Sequence, residues 1–161
     1  MSGNSKRKLT YILFPVICLC VGGLSALCTA GNMKLFDGIE KPPLSPPAAV
    51  FPIVWTALYI LMGLSAARIY DNREINISAA KLSLEAFAVS LIFNFFWSIF
   101  FFNSGAFLFS FLWLLMLLAL VVITVILYKR VDKTAAYLQI PYVLWLAFAG
   151  YLNLFIYILN K

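Results

Sequence analysis

Very little in this 161-residue sequence can move a proton. There is no histidine, which removes the commonest general base and the commonest metal ligand. Glu85 is the only carboxylate inside a long apolar stretch, and Lys81, four residues earlier, supplies an i,i+4 ion pair as its plain explanation. Glu85 precedes Asn94 by nine residues, half a helical rotation, so it does not share the polar face of its own helix. A structural or snorkelling acid accounts for it; proton coupling is the functional alternative, since acids inside membranes are often functional. Cys18, Cys20 and Cys28 fall in one apolar run. Cys18 and Cys20 project to roughly opposite sides of a helix, cannot chelate one ion together, and read as buried apolar thiols. No disulfide framework follows, and the redox compartment stays open. With no second acid, no Ser–His pair and no phosphate-cradling loop, hydrolysis and group transfer are unsupported, and no metal or cofactor is implied.

What remains is a means of binding something apolar and flat. Trp55, Leu58, Tyr59, Met62 and Ala66 fall on one stripe at helical spacing. Ser83, Ser90, Asn94, Trp97 and Ser98 share a second face, at offsets of 7, 11, 14 and 15 residues from Ser83. Tyr142, Trp145, Ala149 and Asn153 line a third. Three such stripes converging would make an apolar slot with a few hydrogen-bonding groups, which suits a flat hydrophobic ligand; Phe36, Phe51 and Tyr59 would complete its rim. Each feature also has a blander explanation. Tryptophan near a membrane surface is often belt anchoring, and a mid-membrane asparagine is as well explained by a helix–helix hydrogen bond as by a ligand. Trp113, alone on an otherwise apolar segment, reads as packing or lipid contact.

The elements that must position these groups are membrane helices. Mean hydropathy is +0.98; 64% of residues are hydrophobic and 11% charged, about half the charge of a soluble domain. The expectation is all-α: a single integral membrane domain over residues 1–161 with five transmembrane helices, at about 11–29, 48–70, 79–102, 106–128 and 134–159. A signal peptide is the competing explanation of the first run; its length and the spans that follow favour a helix. The net charge of +6 sits at helix ends, so it indicates membrane topology and not nucleic-acid binding. With the N-terminus cytoplasmic, that side carries Lys6, Arg7, Lys8, Arg68, Arg73, Lys81, Lys129, Arg130 and Lys133; the other carries Lys34, Lys41 and Lys161, nine against three. The 30–47 loop and the C-terminus then face away from the cytoplasm.

That loop ends in Pro42, Pro43, Pro46 and Pro47. Each fixes its own φ and pushes the residue before it out of the α region. Pro46 and Pro47 can close the loop and open the second span. A stiff lid over a pocket and a rigid connector are both consistent with this, and the physics alone favours the connector.

Three blocks in order carry a resemblance. The first is Lys41-Pro42, Pro46-Pro47, Val54-Trp55-Thr56 and Leu58-Tyr59; the second, weaker, is Asn94 with Trp97 and Phe100-Phe101; the third is Pro141-Tyr142, Leu144-Trp145, Phe148-Ala149 and Leu152-Asn153. Together they resemble the tryptophan-rich sensory protein family, also called translocator proteins or peripheral benzodiazepine receptors. The resemblance implies a five-helix membrane protein, commonly a homodimer, that binds porphyrins, sterols and benzodiazepine-type drugs between its helices under the first loop. Carried onto this chain, the pocket would hold Trp55, Asn94, Trp97, Trp145 and Ala149, with Pro46 and Phe51 from the loop side. Some members are reported to degrade protoporphyrin in light. Here Leu35-Phe36 stands for the family's Trp-Tyr pair, Ala48-Ala49-Val50 lacks its following tryptophan, and the acid usual early in the fourth helix is missing around Leu112-Trp113. These departures weigh more against photochemistry than against binding.

The expectation is therefore a receptor or carrier in a membrane, taken as the bacterial cell membrane, whose partners are lipid and a porphyrin or another hydrophobic small molecule, bound as ligand and not as cofactor. A light-dependent porphyrin-degrading enzyme and a scaffold without a ligand are the alternatives.

Overall fold

In hydrocarbon every backbone N–H and C=O must find its partner inside the protein, and a helix does this within one segment. The computed structural model describes residues 3–32 and 38–161, and within them the chain is helical with no strand. The helices are α1 (Gly3–Thr29), α2 (Val50–Asp71), α3 (Ile77–Ser98), α4 (Phe107–Tyr128), α5 (Lys133–Leu138) and α6 (Ile140–Leu159). Five segments of the described residues are long and apolar enough to cross a membrane: Arg7–Asn32, Val50–Asp71, Ile77–Asn103, Phe107–Tyr128 and Lys133–Leu159. α1 begins ahead of its apolar run and carries the helix through the basic head. The fifth segment breaks at Gln139, because Pro141 has no N–H to give and instead sits in the first turn of α6.

α1 packs chiefly on α2, α3 on α4, and α4 on α6. Lipid is as apolar as leucine, so the helices are held by close fit and polar ties more than by burial itself. Gly63 supplies one such fit: a Cβ there would overlap the backbone of Phe14 and Pro15, so α1 seats its Pro15 backbone in a notch on α2. Gly22 does the reverse, giving room to the Tyr59 ring. Small residues fill the centre at the basic end, where Ala66, Ala67, Ala80, Ala135 and Ala136 are all buried. The outer surface is apolar, as a lipid-facing surface must be, with Leu24, Leu27, Leu112, Met116, Ile126 and Leu144 exposed. Cys18 is buried as expected, but Cys20 and Cys28 are exposed among these lipid-facing side chains, which corrects the buried-thiol expectation.

The two ends of the bundle are fastened differently. At the basic end, Asp132 receives Arg68 Nη2 at 2.7 Å and Asn72 Nδ2 at 2.6 Å on one oxygen. Its other oxygen caps α5 by accepting the Ala135 N–H at 2.9 Å. Burial opposes ionisation of this carboxyl, but the Ala135 N–H and the Arg68 guanidinium outweigh it and hold its pKa below the ordinary value. Arg7 pairs with Asp71 at 2.8 Å, and Lys81 faces Glu85 at 3.9 Å on the exposed side of α3. At the loop end, α3 widens into a π-helical turn over Ile99–Asn103. Asn103 at its close donates to Cys28 O at 3.0 Å and accepts from Asn32 Nδ2 at 3.0 Å, tying α3 to α1.

Candidate functional site

The site is built on Trp55, one turn and a half into α2. Its ring is surrounded by Tyr59 at 5.6 Å, Trp97 at 6.2 Å, Tyr142 at 6.2 Å and Trp145 at 6.5 Å between centroids. Phe51 adds an edge contact to Trp145 at 6.0 Å. Helical spacing explains the convergence: Phe51, Trp55 and Tyr59 follow at i+4 on α2, and Tyr142 and Trp145 are one turn apart on α6.

Polar groups behind the rings are mostly paired. Asn94 on α3 accepts from the Tyr59 hydroxyl at 3.2 Å and donates to the Tyr142 hydroxyl at 2.7 Å, so one amide ties α2, α3 and α6. Trp97 Nε1 donates to Asn153 Oδ1 at 3.2 Å, and Asn153 Nδ2 donates to Phe107 O at 2.8 Å. Trp145 differs: its indole N–H is buried and has no acceptor among the described residues. Trp113 stands apart, stacked on Phe93 at 4.4 Å with its N–H on Phe93 O at 2.8 Å, a packing contact between α4 and α3.

The proline-rich stretch runs alongside α6. Glu40 is clasped at both backbone groups by Asn160, its N–H to Oδ1 at 2.9 Å and its C=O from Nδ2 at 2.9 Å. Three residues on, Pro43 O accepts the Tyr151 hydroxyl at 2.9 Å. Phe51 then meets Trp145, so the strap descends α6 in antiparallel order. Pro42 and Ser45 close a tight turn, Ser45 N–H to Pro42 O at 3.2 Å, which forces Leu44 to φ +69°. That is a left-handed position glycine or asparagine would fill more easily. Val50 and Phe51 donate to Pro47 O and Ala48 O at 2.9 and 3.3 Å, leading the strap into α2.

Of the residues singled out from sequence, Phe51, Trp55, Trp97 and Trp145 share one aromatic cluster, with Asn94 bonded behind it. Ala149 is buried one turn beyond Trp145, and Pro46 is half-buried in the strap. Phe36 lies outside the described residues. Glu85 is exposed beside Lys81, remote from the face that carries Asn94. The clasp by Asn160 and Tyr151 was not anticipated; Tyr151 lies within apolar α6 and Asn160 just past its end, and neither stands on the predicted stripe. Tyr142 was on the predicted stripe, but nothing in its spacing named Asn94 as its partner. Among the described residues the cluster has no charged member, and it offers stacking surface and the buried, unpartnered indole N–H of Trp145.

Residues 12–159 match the sequence model of the TspO/MBR family. The chain is 33% identical over 161 residues to the tryptophan-rich protein TspO of Chlorobaculum tepidum, covering 97% of this chain and 99% of that one. It is 34% identical over 150 residues to protein CrtK of Rhodobacter capsulatus, covering 93% and 92%. It is 31% identical over 133 residues to the translocator protein of Bos taurus, covering 82% and 79%. A family match spanning almost the whole chain, with relatives matched nearly end to end, places this multi-pass membrane protein in the TspO/MBR family.

Proposed function

We propose that this protein is a membrane receptor or carrier for a flat hydrophobic ligand of the porphyrin class, held among Phe51, Trp55, Trp97 and Trp145 under the strap. Pro46 lies on its loop side, Ala149 on its α6 wall, and Asn94 at its floor. One observation carries this: the buried indole N–H of Trp145 has no acceptor among the described residues, while the neighbouring Tyr59 hydroxyl and Trp97 N–H each donate to an asparagine. Such a group is stabilised by whatever acceptor arrives, and a ligand carbonyl or carboxylate would supply one. A flat ring stacked on both faces needs about 7 Å between its neighbours. Trp55 and Trp97, at 6.2 Å, must part slightly to admit it.

A protoporphyrin titration read by tryptophan quenching tests this. The wild type should saturate. Trp145→Ala removes stacking surface and donor, and affinity should fall by roughly one to two powers of ten. Trp145→Phe keeps a ring and should lose only the donor's share. Trp113→Ala should bind as wild type; equal losses in the 113 and 145 variants would leave the cluster as packing alone. Stable porphyrin absorbance under illumination fits a receptor or carrier, and its catalytic loss would favour the degrading enzyme. The same proposal includes the homodimer and a cytoplasmic N-terminus. Cross-linking in vesicles tests the first. For the second, with native cysteines removed, Gly38→Cys should label from outside intact cells and Asn72→Cys should not.

A further inference from the structure

The turn between α4 and α5 presents a cationic surface that the binding site does not use. Lys129, Arg130 and Lys133 are all exposed there. The one acid in the turn, Asp132, points inward with 7% of its side chain exposed, both oxygens taken by Arg68, Asn72 and the Ala135 N–H. Its charge is thus spent inside the bundle and does not offset the three cations outside. Several other cations of this end are engaged, Arg7 with Asp71, Lys81 with Glu85, and Arg73 over the Tyr70 ring with a bond to Tyr70 O, while Lys8 is exposed on α1, away from this turn in sequence. Among the described residues no ion pair engages Lys129, Arg130 or Lys133. The turn is also fixed in shape, since Val131 is buried and Val131 and Asp132 both donate to Tyr128 O, at 2.9 and 2.8 Å.

Below the cations runs an apolar track. Tyr137 follows Lys133 by one turn, and Ile140 and Leu144 continue down the same side across the break, all three exposed. An anionic group with long hydrocarbon attached matches both parts; a free anion or a nucleic acid matches only the first. We propose that this surface is a seat for an acidic phospholipid, its phosphate against Lys129, Arg130 and Lys133 and an acyl chain along Tyr137, Ile140 and Leu144.

Native mass spectrometry of the full-length protein in neutral detergent, with equimolar dioleoyl phosphatidylglycerol and dioleoyl phosphatidylcholine, tests it. Phosphatidylglycerol should be retained preferentially, by roughly fivefold for each cation that reaches the phosphate. Lys129→Gln/Arg130→Gln/Lys133→Gln should abolish the preference, while Lys129→Arg/Arg130→Lys/Lys133→Arg and Lys81→Gln should keep it. Independently of any variant, phosphatidylglycerol but not phosphatidylcholine should slow acylation of Lys129 and Lys133 in the wild type and leave Lys81 unchanged. Glycerol 1-phosphate should displace nothing. Equal retention of the two lipids, a preference that survives the triple glutamine variant, unslowed acylation, or displacement by glycerol 1-phosphate would each overturn the proposal.

Discussion

The two ends of this bundle solve the same problem in different materials. At the basic end small side chains bring helices close, and a carboxylate, a guanidinium and an amide lock α2 to α5 through Asp132. At the loop end the helices are spaced by large rings, and the ties are neutral: the Asn94 bridge, the Asn103 tether and the Asn160 clasp. Alanine packing has one good arrangement, because a shift of an ångström leaves voids or clashes. Aromatic rings at 6 Å have several tilts of nearly equal energy. The lesson is that rigidity and adaptability are segregated along the membrane normal. One end is held by close packing and charge, the other by ring contacts and neutral ties.

Breaking the rigid end should have the largest effect. Asp132→Ala removes a helix cap and leaves Arg68 without its carboxylate; because Arg68 keeps a third of its surface exposed, the loss should be about 2–3 kcal/mol. Thermal unfolding in detergent should show it, with porphyrin affinity of the folded protein unchanged. The same contact fixes a pH dependence. A carboxyl whose pKa is depressed by folding stabilises above its unfolded pKa and loses that contribution as pH falls through the folded one. Melting temperature should therefore be level from neutral pH to about 5 and fall below about 4 in the wild type, with a shallower fall in Asp132→Ala.

Asn94→Leu breaks a neutral tie of the loop end. It strands the Tyr59 and Tyr142 hydroxyls and should cost about 1–2 kcal/mol. If Asn94 only ties helices, adding Tyr59→Phe and Tyr142→Phe should restore the melting temperature and leave affinity near wild type. A persistent affinity loss in that triple variant would assign the amide to the ligand. The smallest effect belongs to Asn160→Ala, which releases Glu40 of the strap from the end of α6. Stability should hardly change, since these bonds lie at an exposed surface. Porphyrin association and dissociation should both quicken, by roughly two- to fivefold. Unchanged rates by stopped-flow would make the strap a connector after all.

The five spans were legible because lipid imposes an unbroken apolar run, and the facing of Trp55, Trp97 and Trp145 was legible because helical period is strict. Partners were not. An asparagine in a span announces that it needs a hydrogen bond but not to whom, so Asn94 gave no warning of Tyr142. The exposure of Cys20 was illegible for a related reason: hydrocarbon and protein interior are equally apolar, so a small thiol suits either side of the helix. Asp132 stands among the cations of the turn, and only the fold shows that it faces inward. The strap's contacts depend on residues 108 and 120 positions away, beyond any local pattern.

That separation has a consequence for how the protein is made. The notch at Gly63 and the Pro15 backbone that fills it lie on the first two spans, so this pair can dock as a hairpin while later segments are still being synthesised. Contacts between near neighbours close small loops and form early; those across long stretches form late. The clasp of Glu40 by Asn160 must wait until the last span is in place. The nascent chain therefore acquires its α1–α2 pairing first and the fastening of the strap last.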